Sequence, residues 1–157
     1  MKYSREKDDT CVELAKLQSR LFERASKEGI PSAFFAKVFF NSKYCQMLDD
    51  LSYLKIYPSE DEIFEYVKNN VGMERGTIYP GFVMSWIGYL LREWAYTFSV
   101  RTKQITKKVT MRYLCTVYPP YHSLDIRKAI ILIASDLHIN INESLQETTL
   151  RILKEIN

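Results

Sequence analysis

The sequence predicts an all-α fold, a compact bundle of about seven or eight helices around a buried central helix over residues 80–100. Apolar residues recur at the spacing of one helix face, and Ser, Thr or Asn precedes several of these segments, where N-caps are found. With five glycines and five prolines in 157 residues, the chain has too few turn residues for an all-β sandwich. The segments follow one another with short gaps, so we expect one helical domain over residues 1–157.

The N-terminal segment predicts two long helices and a short one. The first runs from about Asp9 to Glu28, where one face carries apolar residues: Leu14, Leu17, Leu21, Phe22 and Ala25. Gly29 followed by Ile30-Pro31 predicts its end, because glycine takes the left-handed cap and proline cannot continue a helix. Ser32 is expected to cap a second helix through about Ser42, and residues 44–51 to add a turn or two.

The middle of the chain predicts an extended segment and two further helices. Residues 54–57 alternate between apolar and polar, which favours a lone extended segment rather than a sheet. Ser59-Glu60-Asp61-Glu62 is a capping box, and it predicts a helix that ends at Gly72. A loop follows, and Pro80 is expected to begin the central helix, which runs to about Val100.

The apolar run from Phe82 to Val100 raises the question of a membrane span. Arg92 and Glu93 stand near its middle, where each charge would cost roughly 2.5–3.5 kcal/mol on insertion scales. A buried core helix is therefore the better interpretation, and we expect no membrane association.

The C-terminal third predicts four more helices. Thr102 is expected to cap a short helix to Lys108, and Thr110 another to Tyr118. Pro119-Pro120 is expected to break the chain. Ser123 would then cap a helix from Leu124 to Leu137, and Asn142 a terminal amphipathic helix.

Cysteine use and the N-terminus indicate the compartment. Cys11, Cys45 and Cys115 are odd in number and widely spaced, with no CxxC pair. This argues against a disulfide framework or a zinc site and favours a reducing compartment. Residues 1–9 are charged and lack an apolar signal core, so we interpret the protein as cytoplasmic.

The sequence contains no catalytic motif of the GxSxG, P-loop, GxGxxG, HExxH or EF-hand type, and two histidines leave little room for a metal site. Glu65 and Glu93 could serve as general acids, but neither has a second carboxylate at a spacing that would indicate a catalytic pair. The sequence therefore favours a non-enzymatic role, with no catalytic residue, no metal and no cofactor.

The aromatic-rich segment 80–124 contains the first candidate site. Burying Arg92 and Glu93 there is costly unless both are paired. Adjacent helix residues point about 100° apart, so we expect one charge to reach solvent or a loop and the other to be satisfied inside. Two interpretations stay open for Arg92: an anchor for an anion or carboxylate, or a structural salt bridge to another helix.

The turn at residues 121–125 continues this site. Asp125 should lie in the first turn of the helix that Ser123 caps, with His122 just outside it, and this alone explains the turn. Alternatively, His122 beside Tyr118 and Tyr121 binds a polar ligand or changes charge near neutral pH. The candidates for ligand or partner binding in both segments are Trp86, Tyr89, Arg92, Glu93, Tyr121, His122 and Asp125.

Charge is unevenly distributed along a chain whose net charge is +3. Residues 59–75 carry five acids against two bases, and residues 101–116 carry five bases and no acid. Each stretch either docks a partner or is a solvated face. The candidates for nucleic-acid binding lie on short helices comparable with a helix-turn-helix: Arg101, Lys103, Lys107, Lys108 and Arg112. The intervening turn lacks glycine, and a pI near 8.7 is low for a dedicated DNA-binding domain.

Three segments form a wider pattern: Ser85-Trp86-Ile87-Gly88-Tyr89-Leu90-Leu91-Arg92-Glu93-Trp94-Ala95-Tyr96, Thr102-Lys103-Gln104-Ile105 and Tyr121-His122-Ser123-Leu124-Asp125. This pattern resembles a family of small, uncharacterised bacterial proteins with a W-x-G-Y-x-x-R-x-W-like helix and a Y-H-x-L/M-D turn. The resemblance implies an all-α fold and an antitoxin or accessory role beside toxin-like proteins, including ADP-ribosyltransferase-like ones. It implies no catalytic residue, and this chain has Glu93 where members carry a second aromatic residue or arginine.

Three hypotheses on function follow. The leading one is a non-enzymatic protein-interaction module, antitoxin-like, that meets a protein partner through its basic segment and an acidic helix bearing Glu60, Asp61, Glu62 and Glu65. The first alternative is a DNA- or RNA-binding regulator that uses residues 101–112. The second is a small-molecule or nucleotide sensor with a pocket lined by Trp86, Tyr89, Arg92, Tyr121 and His122. Assembly into a homo-oligomer is left open.

Overall fold

The predicted all-α class is confirmed. The structure, a computed structural model, describes residues 8–51 and 58–139. Within these ranges eight helices hold 73% of the residues, and no strand occurs. The helices are α1 (Asp9–Lys27), α2 (Ser32–Phe40), α3 (Lys43–Asp49), α4 (Glu60–Val71), α5 (Gly81–Phe98), α6 (Thr102–Thr106), α7 (Met111–Tyr121) and α8 (Ile126–Asp136). None of these described helices combines the length and hydropathy that crossing a membrane requires.

Helix α5 is the centre of the bundle, as predicted. All of its residues from Leu90 to Phe98 are buried, and it packs along α1 and against α6, α7 and α8. The two helices approach closely at Gly88, where an added Cβ would lie 2.8 Å from the carbonyl oxygen of Gln18. Only a residue without a side chain lets the two backbones come this close.

Aromatic rings fill the core between α1 and α2. The ring of Phe22 contacts those of Phe35, Phe39 and Phe40, with centroids 5.4–5.6 Å apart. Phe22, Phe35 and Phe39 are fully buried. Edge-to-face pairs of this kind add to the free energy of area burial, so this cluster fixes α2 against α1.

Several predicted helix ends are confirmed. Gly29, directly beyond α1, adopts a φ of +71°, and Gly72, which ends α4, a φ of +65°. The Ser59 hydroxyl accepts a hydrogen bond from the Glu62 amide at the start of α4, and the Thr110 hydroxyl does so from Tyr113 at the start of α7. Helix α3 accounts for the extra turns expected at residues 44–51.

Two predicted N-caps are wrong because the side chains have partners elsewhere in the fold. Ser32 lies inside α2, after Pro31, and its hydroxyl accepts a hydrogen bond from the backbone N–H of Tyr79. Thr102 is the first residue of α6, and its hydroxyl donates to Asp49. A long-range hydrogen bond thus replaces the local cap in both places. Helix α2 also ends before the predicted Ser42, and α6 before the predicted Lys108.

The prolines do not break the chain where the sequence predicted. Pro119 and Pro120 lie in the last turn of α7, which continues to Tyr121. Each removes one backbone donor, but the fixed φ of proline suits a helix. The hydrogen bonding resumes when the His122 N–H donates to the carbonyl of Tyr118 over 2.9 Å.

The cap of α8 was also assigned to the wrong residue. The helix begins at Ile126, and the side chain of Asp125 accepts hydrogen bonds from the N–H groups of Arg127 and Lys128. Ser123 is exposed and lies three residues before the helix, too early for its hydroxyl to reach those amides. The extended segment expected at residues 54–57 and the terminal helix expected after Asn142 lie outside the described residues.

Candidate functional site

Both charges of the central helix are buried, so the expectation that one reaches solvent is wrong. Arg92 is 1% exposed and Glu93 0%. They are satisfied on different sides of α5. Arg92 faces α1 and α3, whereas a carboxylate oxygen of Glu93 lies 3.4 Å from the Nε atom of Arg127 on α8. Neighbouring helices on both sides supply the partners, so neither charge needs to reach water.

The donors of Arg92 are used within the fold. Its Nη1 atom lies 2.5 Å from Oδ1 of Asp49, and its Nε atom donates to Oε1 of Gln18 over 2.9 Å. The Gln18 amide in turn donates to the carbonyl of Gly88. The third nitrogen, Nη2, lies 3.5 Å from Sγ of Cys45. Arg92 therefore forms the salt bridge to another helix that the second interpretation expected, and its enclosed donors do not face an external anion.

Asp49 extends this network to α6. Its two carboxylate oxygens accept hydrogen bonds from the hydroxyl and the backbone N–H of Thr102, over 2.6 and 3.1 Å. One buried carboxylate therefore joins the Arg92 guanidinium on α5 to the first turn of α6. The basic segment begins at this point of the chain.

Cys45 beside this network is not an activated nucleophile. Burial raises the pKa of its thiol to about 11, against the weaker opposing influence of the nearby Arg92 charge. A thiol with such a pKa stays protonated near neutral pH, and only the thiolate is strongly nucleophilic.

The histidine turn lies apart from Arg92. The rings of Tyr118 and His122 stack at a centroid distance of 4.3 Å, and Trp86 meets the same Tyr118 edge-on at 5.5 Å. The Nδ1 atom of His122 lies 2.9 Å from the carbonyl oxygen of Tyr118. Trp86 and His122 thus come together through Tyr118, a residue named in the sequence only as their neighbour. Tyr89 is half-buried on α5.

The remaining two candidates of this region have structural partners. The Tyr121 hydroxyl donates to Asp136 on α8 over 2.5 Å, and this bond raises the pKa of Tyr121 to about 12. Asp125 caps α8. The candidates therefore take part in separate contacts, with α1 and α3, with α8 and within the aromatic turn, rather than forming a single pocket.

The acidic helix α4 is largely neutralised by α1. Glu60 pairs with Arg20 at 2.8 Å, and Asp61 pairs with Arg24 at 2.6 Å. A third acid, Glu62, accepts a hydrogen bond from the Tyr44 hydroxyl. Its charges therefore serve contacts between helices of the same chain.

The basic segment, defined as Arg101, Lys103, Lys107, Lys108 and Arg112, has the opposite character. All five side chains are exposed, and none of their charged groups forms an ion pair or hydrogen bond with a described residue. Two of the clefts in the described structure open beside α6. Lys107 and Lys108 border one of about 360 Å³, and Lys103 and Arg112 border another of about 390 Å³.

The residues that organise these surfaces were mostly missed in the sequence. Gln18 stands among the apolar positions of α1, and this inward-facing polar side chain was a signal that could have been used. Asp49 carries no such signal, because its role depends on Arg92 and Thr102, which are distant in sequence.

The described residues contain no group of three His, Cys, Asp or Glu side chains that could hold a metal ion. Comparison of the chain with protein-family models, with curated proteins and with solved structures finds no match. Function is therefore inferred from the surfaces and networks described above.

Proposed function

We propose that the protein is a non-enzymatic interaction module that binds an acidic protein partner through its basic segment. The partner would present carboxylates to Lys103, Lys107 and Lys108. An antitoxin-like role, in which the chain masks a small toxin-like protein, is the form of this proposal that agrees with the family resemblance.

The proposal rests on the contrast between the two charged surfaces. Three acids of α4, namely Glu60, Asp61 and Glu65, already have arginine partners on α1. The five cations of the basic segment have none among the described residues. Unpaired like charges within twelve positions of the chain repel one another, and an acidic partner relieves this repulsion while gaining a faster association rate.

The position of the basic segment supports the same proposal. The first turn of α6 is held by Asp49, which is itself paired with the buried Arg92. The cations of α6 are therefore presented from a turn with a fixed position, and a preorganised surface loses less entropy when a partner binds.

A protein partner fits this surface better than duplex DNA. Helix α6 has five residues, and beyond Arg112 the exposed part of α7 carries Thr116, Pro119 and Pro120 rather than further cations. A recognition helix needs base- and phosphate-contacting side chains along its exposed face. The cleft beside Lys107 also has Trp94 and Ile105 in its wall, which suits an apolar side chain next to a carboxylate.

The test measures binding of the purified protein to the products of the reading frames that adjoin its gene, and to random duplex DNA. We expect one acidic product to bind and the variant K103A/K107A/K108A to lose roughly tenfold or more in affinity, about 1.4 kcal/mol. The matched control K16A/K27A/K128A makes the same change in net charge elsewhere on the surface and should retain affinity within about twofold.

Two results would contradict the proposal. One is an equal loss of affinity in both triple variants, which would assign binding to net charge alone. The other is tight, salt-dependent binding to duplex DNA that depends on the same three lysines, which would favour the nucleic-acid alternative.

A further inference from the structure

The cleft of about 390 Å³ lies between α2 and the start of α7. Its volume is within the range of about 300–1,000 Å³ that is typical of pockets for small molecules. Residues from α2, from the loop before α5, from α6 and from the start of α7 contribute to its wall. Four parts of the chain thus meet around one concave surface.

The charged residues in the wall of the cleft are all cations. Lys37 on α2, Lys103 on α6 and Arg112 on α7 line it, and no aspartate or glutamate does. None of the three charged groups forms an ion pair or hydrogen bond with a described residue. Three positive charges brought to one cleft by three helices repel one another, and an anion in the cleft would remove this cost.

The N-terminus of α7 adds a second, independent anion-binding feature. Thr110, Met111 and Arg112 line the cleft. The backbone N–H groups of Met111 and Arg112 have no acceptor among the described residues, whereas that of Tyr113 donates to the Thr110 hydroxyl. The positive end of the helix dipole and unpaired N–H groups are the features by which helices bind phosphate.

Tyr79 provides a further polar group that is held in place. Its backbone N–H donates to the Ser32 hydroxyl over 2.8 Å, and its carbonyl accepts from the Ser26 hydroxyl over 2.6 Å. Its own hydroxyl has no hydrogen-bond partner among the described residues. The phenol is therefore available to donate to a ligand oxygen without reorganisation of the loop.

The wall of the cleft is partly apolar. Phe40 and Val109 lie at its base and are almost fully buried, at 5% and 1% exposed, whereas Ala33 is exposed and Met111 is half-buried. A bare anion would leave Ala33 and Met111 in contact with water, whereas a ligand with a planar or apolar body would cover them. The cleft thus combines cationic and N–H groups with apolar side chains against which a nucleobase could pack.

We propose that this cleft binds a phosphate-bearing small molecule with a planar body, of the nucleoside monophosphate class. The phosphate lies against Arg112, the lysines and the N-terminus of α7, and the planar group covers Ala33 and Met111. The cleft shares Lys103 and Arg112 with the basic segment, whereas Lys37 and Tyr79 belong to the cleft alone. None of the residues that the sensor hypothesis placed around Arg92 and His122 lines this cleft.

The test is calorimetric titration of the full chain with adenosine monophosphate, inorganic phosphate and adenosine at fixed ionic strength. We expect the nucleotide to bind, inorganic phosphate to bind at least tenfold more weakly, and adenosine to show no saturable binding. The variants K37A and R112A should each weaken nucleotide binding roughly fivefold or more. The control K16A/K128A removes exposed lysines on α1 and α8 and should leave the affinity for the nucleotide unchanged.

Three results would overturn the proposal: no nucleotide binding by the native chain at millimolar concentration, equal affinity for adenosine and the nucleotide, or affinity unaltered in both K37A and R112A. A single-stranded oligonucleotide that binds far more tightly than the nucleotide, through the same residues, would assign the cleft to nucleic acid instead.

Two variants distinguish nucleotide binding in the cleft from binding of the protein partner. K37A should impair nucleotide binding only, and K107A/K108A partner binding only. Thermal unfolding of each variant verifies that it folds.

Discussion

The Arg92 guanidinium and the Asp49 carboxylate form an ion pair of 2.5 Å in the interior, where the side chains are 1% and 7% exposed. The carboxylate also accepts two hydrogen bonds from Thr102. The pair therefore connects the central helix to the start of the basic segment. Arg92, which the sequence suggested as a ligand anchor, therefore helps to position the start of the basic segment through Asp49.

Replacing Asp49 by alanine should be strongly destabilising. The change leaves Arg92 buried without its carboxylate and removes the acceptor of the Thr102 N–H. Breaking a buried ion pair on one side costs roughly 3–5 kcal/mol. Urea unfolding of Asp49→Ala and of the native chain measures the difference in the free energy of unfolding.

The matched control is Asp61→Ala. Asp61 also pairs with an arginine, at 2.6 Å from Arg24, but its side chain is 83% exposed. We expect this variant to lose less than about 1 kcal/mol, because water screens the pair. Similar losses in the two variants would contradict a stabilising role for the buried network.

Gly88→Ala should destabilise the packing of α5 on α1. The added Cβ would meet the Gln18 carbonyl oxygen at 2.8 Å and the Phe22 ring at 3.0 Å. Separating two packed helices to make room costs roughly 1–3 kcal/mol. Thermal unfolding should show a lower melting temperature. Gly81→Ala is the control, since its Cβ would lie 3.5 Å from the nearest atom, and a comparable loss there would disprove the steric explanation.

Asp125→Ala should cost more stability than Ser123→Ala. The Asp125 carboxylate accepts from the Arg127 and Lys128 amides at the start of α8, and loss of such a cap costs about 1 kcal/mol. Ser123 is exposed, and its replacement should change the free energy of unfolding by less than about 0.5 kcal/mol. Denaturant unfolding measures the free energy of unfolding of both variants. A larger loss in Ser123→Ala than in Asp125→Ala would support the Ser123 cap that the sequence suggested.

Asp136→Ala should lower the pKa of Tyr121. The Asp136 carboxylate accepts the Tyr121 hydrogen bond and raises that pKa to about 12, above the ordinary value of about 10. The neutral phenol makes the bond, so its stabilisation is present below about pH 10 and is lost as the pH rises through about 12.

The measurement is the ultraviolet absorbance of phenolate during alkaline titration. Subtracting the curve of Tyr121→Phe isolates this tyrosine in the native chain, and subtracting that of the double variant Y121F/D136A isolates it in Asp136→Ala, because Asp136 also raises the pKa of Tyr113. An unchanged midpoint for Tyr121 after removal of Asp136 would show that the hydrogen bond does not cause the shift.

The sequence predicted the helices better than it predicted the site. The starts of α4 and α7 followed from Ser59 and Thr110, because a cap acts on amides two or three residues away. Ser32 and Thr102 misled the prediction, since each binds a residue that is distant in sequence. Arg92 shows the same limit of local reasoning. The sequence indicated that this buried charge needs a partner, but it did not indicate that the partner is Asp49.

The sequence by itself determined the all-α class, the buried central helix and the separation of acidic from basic segments. These properties depend on apolar periodicity, local caps and composition, which operate within a few residues. Only the tertiary structure decided which charges are paired, because Arg92 meets Asp49 across 43 positions and α1 neutralises α4 across about 40. It also gathered Lys37, Lys103 and Arg112 around one cleft, since the packing of helices rather than their order along the chain brings such residues together.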